Sequence, residues 1–173
     1  IKVSLSLPNG SYYEQLFVGR IINKDKPLIL FFHGHGGAIL ADYFFDLDDK
    51  LVPEFNILFP QDRAGYNREG SAFLGGNGPE NWCYPLLIKN LVDTLDKQLN
   101  FDDLIFCGCS MGGYGALMNS MFHDNSICFA SVPQTSLDPG NKYYSRHEFG
   151  FNYLKEIGIA ENYTELLKSY PII

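Results

Sequence analysis

The sequence predicts an α/β fold in which helices flank a mostly parallel central sheet. Continuous apolar runs at residues 28–32 and 104–107 have the length and composition of strands that are buried on both faces, as in parallel sheets. Between these two runs, leucines recur every four residues from Leu87 to Leu99, which predicts an amphipathic helix over residues 85–99. Strands and helices that alternate in this way are typical of βαβ units.

Composition narrows the class of protein. The chain has 173 residues, of which 46% are hydrophobic and 15% aromatic, so it is expected to fold as a single domain over residues 1–173. Its net charge of −7 disfavours nucleic acid and anionic membranes as partners, because like charges repel. No apolar stretch of about 18 residues and no signal-peptide pattern is present, so we expect no membrane span and a cytoplasmic location.

The four cysteines give no sign of metal binding. Cys83, Cys107, Cys109 and Cys128 lack the paired C-x-x-C spacing of metal ligands, so no metal is expected. Three of them lie in or beside apolar strand-like runs, which predicts buried free thiols. Cys107 and Cys109 are two residues apart on one predicted strand, a poor geometry for a disulfide, and this spacing favours a reducing compartment.

The N-terminal half begins with a predicted hairpin. Residues 2–6 and 12–22 carry alternating and β-branched apolar residues, and a Pro-Asn-Gly turn signal at residues 8–10 separates them. After the first buried strand, an aromatic and acidic segment at residues 38–55 predicts a helix with an irregular end. Residues 55–60 predict the next short buried strand, so this part of the chain again reads as strand, helix and strand.

A long irregular segment, residues 61–81, follows that strand. It contains five glycines together with Asp62, Arg63 and Arg68, and it shows no regular period. A loop of this length inside a compact domain is usually functional. It leaves the sheet at the edge where α/β folds bind ligands, so Arg63 or Arg68 could meet an anionic or hydroxyl-rich substrate. Solvated arginines on a surface loop are the alternative.

The C-terminal half contains one more predicted strand. It covers residues 127–132, and two short helices are predicted at residues 150–158 and 162–169. The helix that opens after residue 110 is expected to continue to Phe122. His123, at the end of that helix, is expected to be exposed.

One short turn is the strongest functional signal in the chain. Residues 108–112 read Gly-Cys-Ser-Met-Gly, a G-x-S-x-G pattern between a predicted strand and a predicted helix. In such a nucleophile elbow, the two glycines let strand and helix pack closely while the serine takes a strained, exposed position. The helix N-terminus behind the serine offers N–H groups and a positive dipole to a developing oxyanion. Ser110 is therefore the predicted covalent nucleophile, and a chance turn in a glycine-rich chain is the alternative.

Cys109 is the neighbouring nucleophile that has to be considered. Ser110 occupies the tip of the predicted elbow, so the Cys109 side chain is expected to point into the packed sheet. A buried thiol is inert, and Cys109 is therefore not predicted to react.

A second glycine cluster lies directly after the first buried strand. Residues 33–37 read His-Gly-His-Gly-Gly, a sequence in which the backbone can approach a ligand closely. In acyl-transfer enzymes with an elbow, a loop at this place supplies the second oxyanion donor. The backbone N–H of His35 or Gly36 would then join that of Met111 in an oxyanion hole. The side chain of His33 is interpreted as a structural histidine with local hydrogen bonds.

These two glycine-rich segments together resemble the α/β-hydrolase superfamily, over roughly residues 28–140. The sequence Ser-Met-Gly-Gly-Tyr-Gly-Ala-Leu at residues 110–117 resembles esterases of the esterase D type and also hydrolase-like proteins that O-acetylate bacterial glycans. The tripeptide Val132-Pro133-Gln134, with Asp138 close behind, is more similar to the second group, the capsule-associated proteins and accessory-secretion O-acetyltransferases.

The resemblance leaves the other catalytic groups open. The superfamily places an acid and then a histidine after the nucleophile, normally following two further strands, yet only 63 residues follow Ser110. Asp138 and His147 occur in this order but are only nine residues apart, too few for an intervening strand and helix. We therefore expect the acid and base beyond Ile173, in a part of the protein that this chain does not include.

The resemblance implies serine-dependent acyl transfer through an acyl-enzyme on Ser110. The outcome is either ester hydrolysis or transfer of an acetyl group to a carbohydrate, and the expected partner is a small-molecule or glycan ester. No cofactor is expected, except acetyl-CoA as the acyl donor if the protein is a transferase. The alternative is a non-catalytic binding or scaffold module in polysaccharide biosynthesis, since the chain does not clearly contain the base.

Overall fold

The structure is a computed structural model and describes residues 2–6, 12–21, 24–34, 54–62, 73 and 84–133. The described strands form a six-stranded sheet in the order β1-β2-β4-β3-β5-β6. Their bounds are β1 Lys2–Ser6, β2 Tyr12–Arg20, β3 Leu28–Phe32, β4 Asn56–Pro60, β5 Leu104–Cys109 and β6 Ile127–Ser131. Two helices accompany them, α1 Tyr84–Leu99 and α2 Met111–Ser120.

The sheet is parallel in its centre and antiparallel at one side. Strands β1 and β2 pair as the predicted N-terminal hairpin, from Lys2 opposite Leu16 to Ser6 opposite Tyr12. Strand β2 continues antiparallel along β4, whereas β4, β3, β5 and β6 all run parallel to one another. The prediction of an α/β fold with a mostly parallel sheet is therefore confirmed.

Strand β3 lies in the middle of this sheet, between β4 and β5. Its residues Leu28, Leu30 and Phe32 are completely buried, while Ile29 and Phe31 on the opposite face are only half-buried. Strand β4 is buried along all five residues. Strand β4 is therefore buried on both faces, whereas β3 is fully buried on only one face.

Both helices pack on the same face of the sheet. The crossover from β4 to β5 and the crossover from β5 to β6 run in the same direction across the sheet, and right-handed connections then place α1 and α2 together. Helix α1 begins at Tyr84, one residue before the predicted start, and the leucine stripe at 87, 91 and 95 is buried against the sheet. This face holds the main apolar core of the described residues.

The centre of that core is aromatic. The ring of Phe32, at the end of β3, meets the ring of Phe73 edge-on with centroids 4.8 Å apart, and it stacks on Phe106 of β5 at 6.2 Å. Phe73 in turn meets Tyr84 of α1 at 5.5 Å. These large rings bury extensive apolar area at the carboxyl ends of the central strands, and this makes that edge of the sheet a firm support for the turns that leave it.

Helix α2 ends at Ser120, two residues earlier than expected, and His123 lies in the turn that follows. The expectation that His123 is exposed is wrong, because its side chain packs over Phe106 with ring centroids 5.3 Å apart and the residue is only 8% exposed. The hydroxyl of Ser126 holds the turn by donating to the carbonyl oxygens of Ser120 and His123, at 3.2 and 3.0 Å. Burial is the main cause that lowers the pKa of His123 to about 4, and the Lys89 ammonium lowers it further.

Several predicted elements fall outside the described residues. They are the helix at 38–55, most of the loop at 61–81 and the two helices at 150–158 and 162–169. Neither described helix is long and apolar enough to cross a membrane.

The buried His123 should make the protein sensitive to acid. The pKa of its ring falls from the usual 6.5 to about 4 on folding, so its contribution to stability is complete above pH 6.5 and is lost as the pH falls towards 4. Between pH 7 and pH 4 the free energy of unfolding should therefore drop by about 3 kcal/mol through this residue alone.

Urea unfolding of the wild type and of His123→Phe at both pH values checks this. Phenylalanine keeps a ring against Phe106 and cannot take up a proton, so the variant should lose about 3 kcal/mol less than the wild type over the same interval. Equal losses in the two proteins would contradict the assignment.

Candidate active site

Ser110 lies at the tip of the turn between β5 and α2. Its backbone has φ 56° and ψ −120°, a conformation that costs a non-glycine residue about 1–3 kcal/mol and persists only where the surroundings enforce it. Two hydrogen bonds enforce it here. The Ser110 N–H donates to the Ser131 carbonyl at 2.9 Å, and the Ser110 carbonyl accepts from the Tyr114 N–H at 3.1 Å. The strained turn of a nucleophile elbow is thus present where the sequence predicts it.

The glycines on either side of Ser110 are required by close backbone contacts. A Cβ added at Gly108 would overlap the carbonyl of Gly112, and one added at Gly112 would overlap the carbonyls of Phe32 and His33. Helix α2 can therefore approach β5 and the end of β3 only because both positions lack a side chain. The G-x-S-x-G spacing has a steric reason in this chain and is not a chance turn.

The first turn of α2 has three backbone N–H groups without an intrahelical acceptor. The first bond of the helix joins the Tyr114 N–H to the Ser110 carbonyl, so the amides of Met111, Gly112 and Gly113 precede the first intrahelical donor. The Ser110 hydroxyl makes no capping hydrogen bond to these amides. An anion beside Ser110 would meet the positive end of the helix dipole and the N–H groups of this first turn. The assignment of Met111 as an oxyanion donor stays a prediction.

His33 begins the glycine-rich loop after β3 and is buried, with 3% of its surface exposed. Its Nδ1 lies 2.7 Å from the Gly34 carbonyl oxygen, and its Nε2 accepts a hydrogen bond from the Asp62 backbone N–H at 3.0 Å. Because the Asp62 N–H uses the lone pair of Nε2, the hydrogen bond to the Gly34 carbonyl is donated by Nδ1. The interpretation of His33 as a structural histidine is confirmed. The other predicted loop donors, His35 and Gly36, lie outside the described residues.

Asp62 has a structural role that the sequence did not reveal. It lies two residues after the end of β4 and is completely buried, and its Oδ2 accepts a hydrogen bond from the Phe73 N–H at 2.7 Å. Phe73 has φ 60°, so this bond helps to hold a strained backbone. An acidic residue two positions after a mostly apolar strand was the available signal, because a buried carboxylate requires hydrogen-bond donors.

Neither described histidine can act as a general base for Ser110. Both ring nitrogens of His33 are engaged in hydrogen bonds to the backbone. His123 lies beyond the far end of α2, and ten helical residues span about 15 Å. The remaining histidines, His35 and His147, and the candidate acid Asp138 lie outside the described residues.

The cysteines differ from expectation at one position. Cys109 is exposed, so the prediction that its side chain points into the packed sheet is wrong. Side chains alternate along a strand, and since Gly108 faces α2, Cys109 points to the opposite face of the sheet, away from the helix N-terminus. Cys109 is therefore still not predicted to be the nucleophile, because its side chain points away from the helix N-terminus and not because it is buried.

The two other described cysteines, Cys107 and Cys128, are half-buried. Burial raises the pKa of the Cys107 thiol to about 11, with a further contribution from Cys128. Burial also raises the pKa of Cys128, although a hydrogen bond with Ser120 opposes that shift. Both thiols are thus protonated and unreactive near neutral pH. Among the described residues, no three His, Cys, Asp or Glu side chains are grouped so that they could hold a metal ion.

Comparison with known proteins identifies the fold. No family model and no curated protein sequence matches the chain. FphF, a fluorophosphonate-binding serine hydrolase of Staphylococcus aureus, superposes with a TM-score of 0.52 at 15% identity, over 94% of this chain and 74% of that one. An S-formylglutathione hydrolase from Agrobacterium tumefaciens gives 0.52 at 15% identity, over 76% and 57% of the two chains. Rv0554 from Mycobacterium tuberculosis gives 0.52 at 14% identity, over 100% and 55%.

The chain has the α/β-hydrolase fold. Two of these three neighbours are described as hydrolases, and the identities of 14–15% make the likeness one of fold. The aligned part spans 57% and 55% of the length of the second and third neighbours, so a substantial part of each has no counterpart in this chain.

The close contact at Gly112 gives a test of the elbow. Gly112→Ala should lower the free energy of unfolding by about 1–3 kcal/mol, because the new methyl group would push α2 away from the Phe32 and His33 carbonyls. Gly34→Ala is the matched control, since a Cβ there would lie at an ordinary 3.8 Å from the Cys109 carbonyl oxygen. Denaturant unfolding of both variants checks the difference, and equal stabilities would contradict the close approach.

Proposed function

We propose that this protein is a serine hydrolase that cleaves esters through an acyl-enzyme on Ser110. The observation that carries the proposal is the strained backbone of Ser110, held by two hydrogen bonds at the N-terminus of α2. In a nucleophile elbow, a strained backbone of this kind exposes the nucleophilic side chain to the substrate. The glycines at 108 and 112 show that the backbone around the serine is built for this turn.

The proposed reaction has two halves. A general base removes the Ser110 hydroxyl proton while Oγ attacks the ester carbonyl, and the resulting oxyanion is stabilised by the N–H groups of Met111 and of His35 or Gly36. The C–O bond to the alcohol then breaks, and the base returns its proton to the departing alcohol. Water attacks the acyl-serine in the same way, releasing the acid and restoring Ser110. The base belongs to the residues that the structure does not describe.

The names of the structural neighbours support this chemistry. One is described as a fluorophosphonate-binding serine hydrolase and another as an S-formylglutathione hydrolase. Fluorophosphonates react with an activated serine by forming a P–O bond and expelling fluoride. The same probe therefore tests the proposed nucleophile directly.

O-acetyl transfer to a carbohydrate is the second fate that we propose for the acyl-serine. A sugar hydroxyl would replace water in the second half-reaction, with acetyl-CoA as the acyl donor. The residues in favour are Val132 and Pro133, which follow β6 in the order seen in the glycan-modifying proteins that the chain resembles. Val132 has φ 44° and is 79% exposed, so a bulky apolar side chain is presented at the carboxyl edge of the sheet, beside the elbow.

A non-catalytic binding or scaffold module in polysaccharide biosynthesis is the competing function. The observation in its favour is that His33 and His123 are both committed to the packing of the fold, so neither serves Ser110 as a base. Labelling of the serine decides between this module and the enzyme.

Ser110→Ala should abolish labelling by a fluorophosphonate and lower the hydrolysis of p-nitrophenyl acetate by at least ~10⁴-fold, because the variant lacks the attacking oxygen. Cys109→Ala is the matched control, since its exposed side chain points to the other face of the sheet, and it should label and hydrolyse like the wild type. Mass spectrometry of the labelled peptide in the intact protein identifies the modified residue. Failure of the wild type to label would favour the scaffold module.

Transfer and hydrolysis can be separated by adding an acceptor. With acetyl-CoA as donor, a transferase should acetylate an added glycan and release free acetate more slowly as the glycan concentration rises, because the sugar hydroxyl competes with water for the acyl-serine. Product analysis by mass spectrometry at several glycan concentrations checks this. Acetate release that is independent of the glycan, with no acetylated sugar, would leave ester hydrolysis as the activity.

A further inference from the structure

We propose that the side chain of Val132 determines substrate specificity, by contacting an apolar group that the ester places beside Ser110. The inference rests on the proposed function, because the contact matters only if Ser110 is acylated. Val132 follows the last residue of β6 and takes no part in the two half-reactions described above.

The backbone of Val132 is strained. Its φ of 44° lies in the left-handed region, where a β-branched residue is a genuine outlier. The proline at position 133 adds to the conflict, because the residue before a proline prefers an extended backbone. A glycine or an asparagine would adopt this conformation with less strain. The backbone therefore gives no reason for a valine at this position.

Packing gives no reason for the valine either. Its residue surface is 79% exposed, which makes it the most exposed of the large hydrophobic residues that the structure describes. An apolar side chain that stays in water contributes almost nothing to the stability of the fold. Val132 thus combines a strained backbone with a side chain that buries little area. A contact made with a molecule outside the fold would account for both.

The sheet places Val132 beside the nucleophile. The last pair of the β5–β6 ladder joins Cys109 to Ser131. Ser110 and Val132 are the next residues of these two strands, so they leave the sheet at the same level. The Ser110 N–H donates to the Ser131 carbonyl at 2.9 Å, and this carbonyl belongs to the peptide group that leads into Val132. Neighbouring strands lie about 4.8 Å apart, so the backbone of Val132 is within the length of one side chain of the serine.

Pro133 holds the other side of Val132. A Cβ added at Gly113 would lie 3.2 Å from the Cα and Cβ of Pro133, so the proline packs closely over the first turn of α2. Val132 therefore connects two anchored neighbours, one bonded to the elbow and the other packed on the helix. Its side chain is the part of this connection that extends into solvent.

The chemistry of the side chain sets the kind of group that it recognises. An ester whose carbonyl meets the Ser110 hydroxyl carries two substituents, the acyl chain and the alcohol. The methyl groups of Val132 form no hydrogen bonds, so they favour a substituent only by burying its apolar surface. We therefore expect the substituent on the β6 side of the serine to be apolar.

Two variants change the side chain and keep the backbone conformation. Glycine and asparagine both tolerate a positive φ, so Val132→Gly and Val132→Asn should fold with urea midpoints close to that of the wild type. Val132→Gly removes the side chain, whereas Val132→Asn keeps a side chain of similar size and replaces the methyl groups by an amide. A role of the backbone alone would survive both substitutions.

The experiment measures kcat/KM for two series of esters with the intact protein. In the first series the alcohol is p-nitrophenol and the acid is acetate, butyrate or hexanoate; in the second the acid is acetate and the alcohol is ethanol, butanol or hexanol. Both variants should lower the ratio of kcat/KM for the longest ester to that for the shortest by about tenfold in one series, because an apolar contact is lost. A fall in the first series identifies the acyl chain as the group contacted, and a fall in the second identifies the alcohol.

Asn125→Gly is the matched control for the backbone. Asn125 also has a left-handed conformation, with φ 63°, but it lies before β6, at the end of that strand remote from Val132. Phe129→Ala is the control for the loss of an exposed apolar side chain, since Phe129 lies on the same strand and is 53% exposed. Both ratios should keep their wild-type values in these two variants.

The outcomes are distinguishable. A wild type that neither labels at Ser110 nor cleaves any of the esters overturns the proposed function, and this inference with it. An active wild type whose two ratios are unchanged in either Val132 variant overturns the specificity role alone, and so do equal changes in Asn125→Gly. If one Val132 variant does not fold, the ratios of the other decide.

Discussion

The close contact of helix α2 with the backbone of β3 and β5 is the constraint on which the rest of the site depends. The helix begins one residue after Ser110, and its first turn rests on the carbonyls of Phe32 and His33. Such proximity excludes side chains at Gly108 and Gly112 and forces the chain to turn within a single residue. The unusual φ of Ser110 follows from this geometry. In the parallel pairing of β3 with β5, Phe32 lies opposite Gly108. The chain therefore leaves these two strands at neighbouring points, at His33 after β3 and at the Ser110 turn after β5.

The polar groups at this edge of the sheet mostly serve to hold the fold. The His33 ring and the Asp62 carboxylate bond to backbone groups of Gly34, Asp62 and Phe73, and the Ser110 N–H bonds to β6. Each of these bonds compensates a buried polar group that would otherwise be costly. The Ser110 hydroxyl differs, since it does not cap its own helix. Rigid surroundings and a hydroxyl that does not cap the helix suit a nucleophile, because its chemistry depends on preorganised geometry.

The sequence was sufficient where local chemistry decides the structure. Glycines at 108 and 112 predicted the elbow because no other residue allows such close contact, and the leucine period predicted α1 to within one residue. It was insufficient where distant residues meet. His123 is buried because Phe106 of another element lies beneath it, and Cys109 is exposed on the face of the sheet opposite α2. Likewise, the role of Asp62 depends on Phe73, eleven residues away.

Phe73 is fully buried, and its ring packs against the backbone of α2 at Gly115, where no Cβ could be accommodated. Its backbone N–H is bonded to the Asp62 carboxylate, and its ring lies between Phe32 of β3 and Tyr84 of α1. One residue between β4 and α1 therefore touches both helices and the central strand. A change in the size of this side chain would reach α2, and with it the serine, through packing alone.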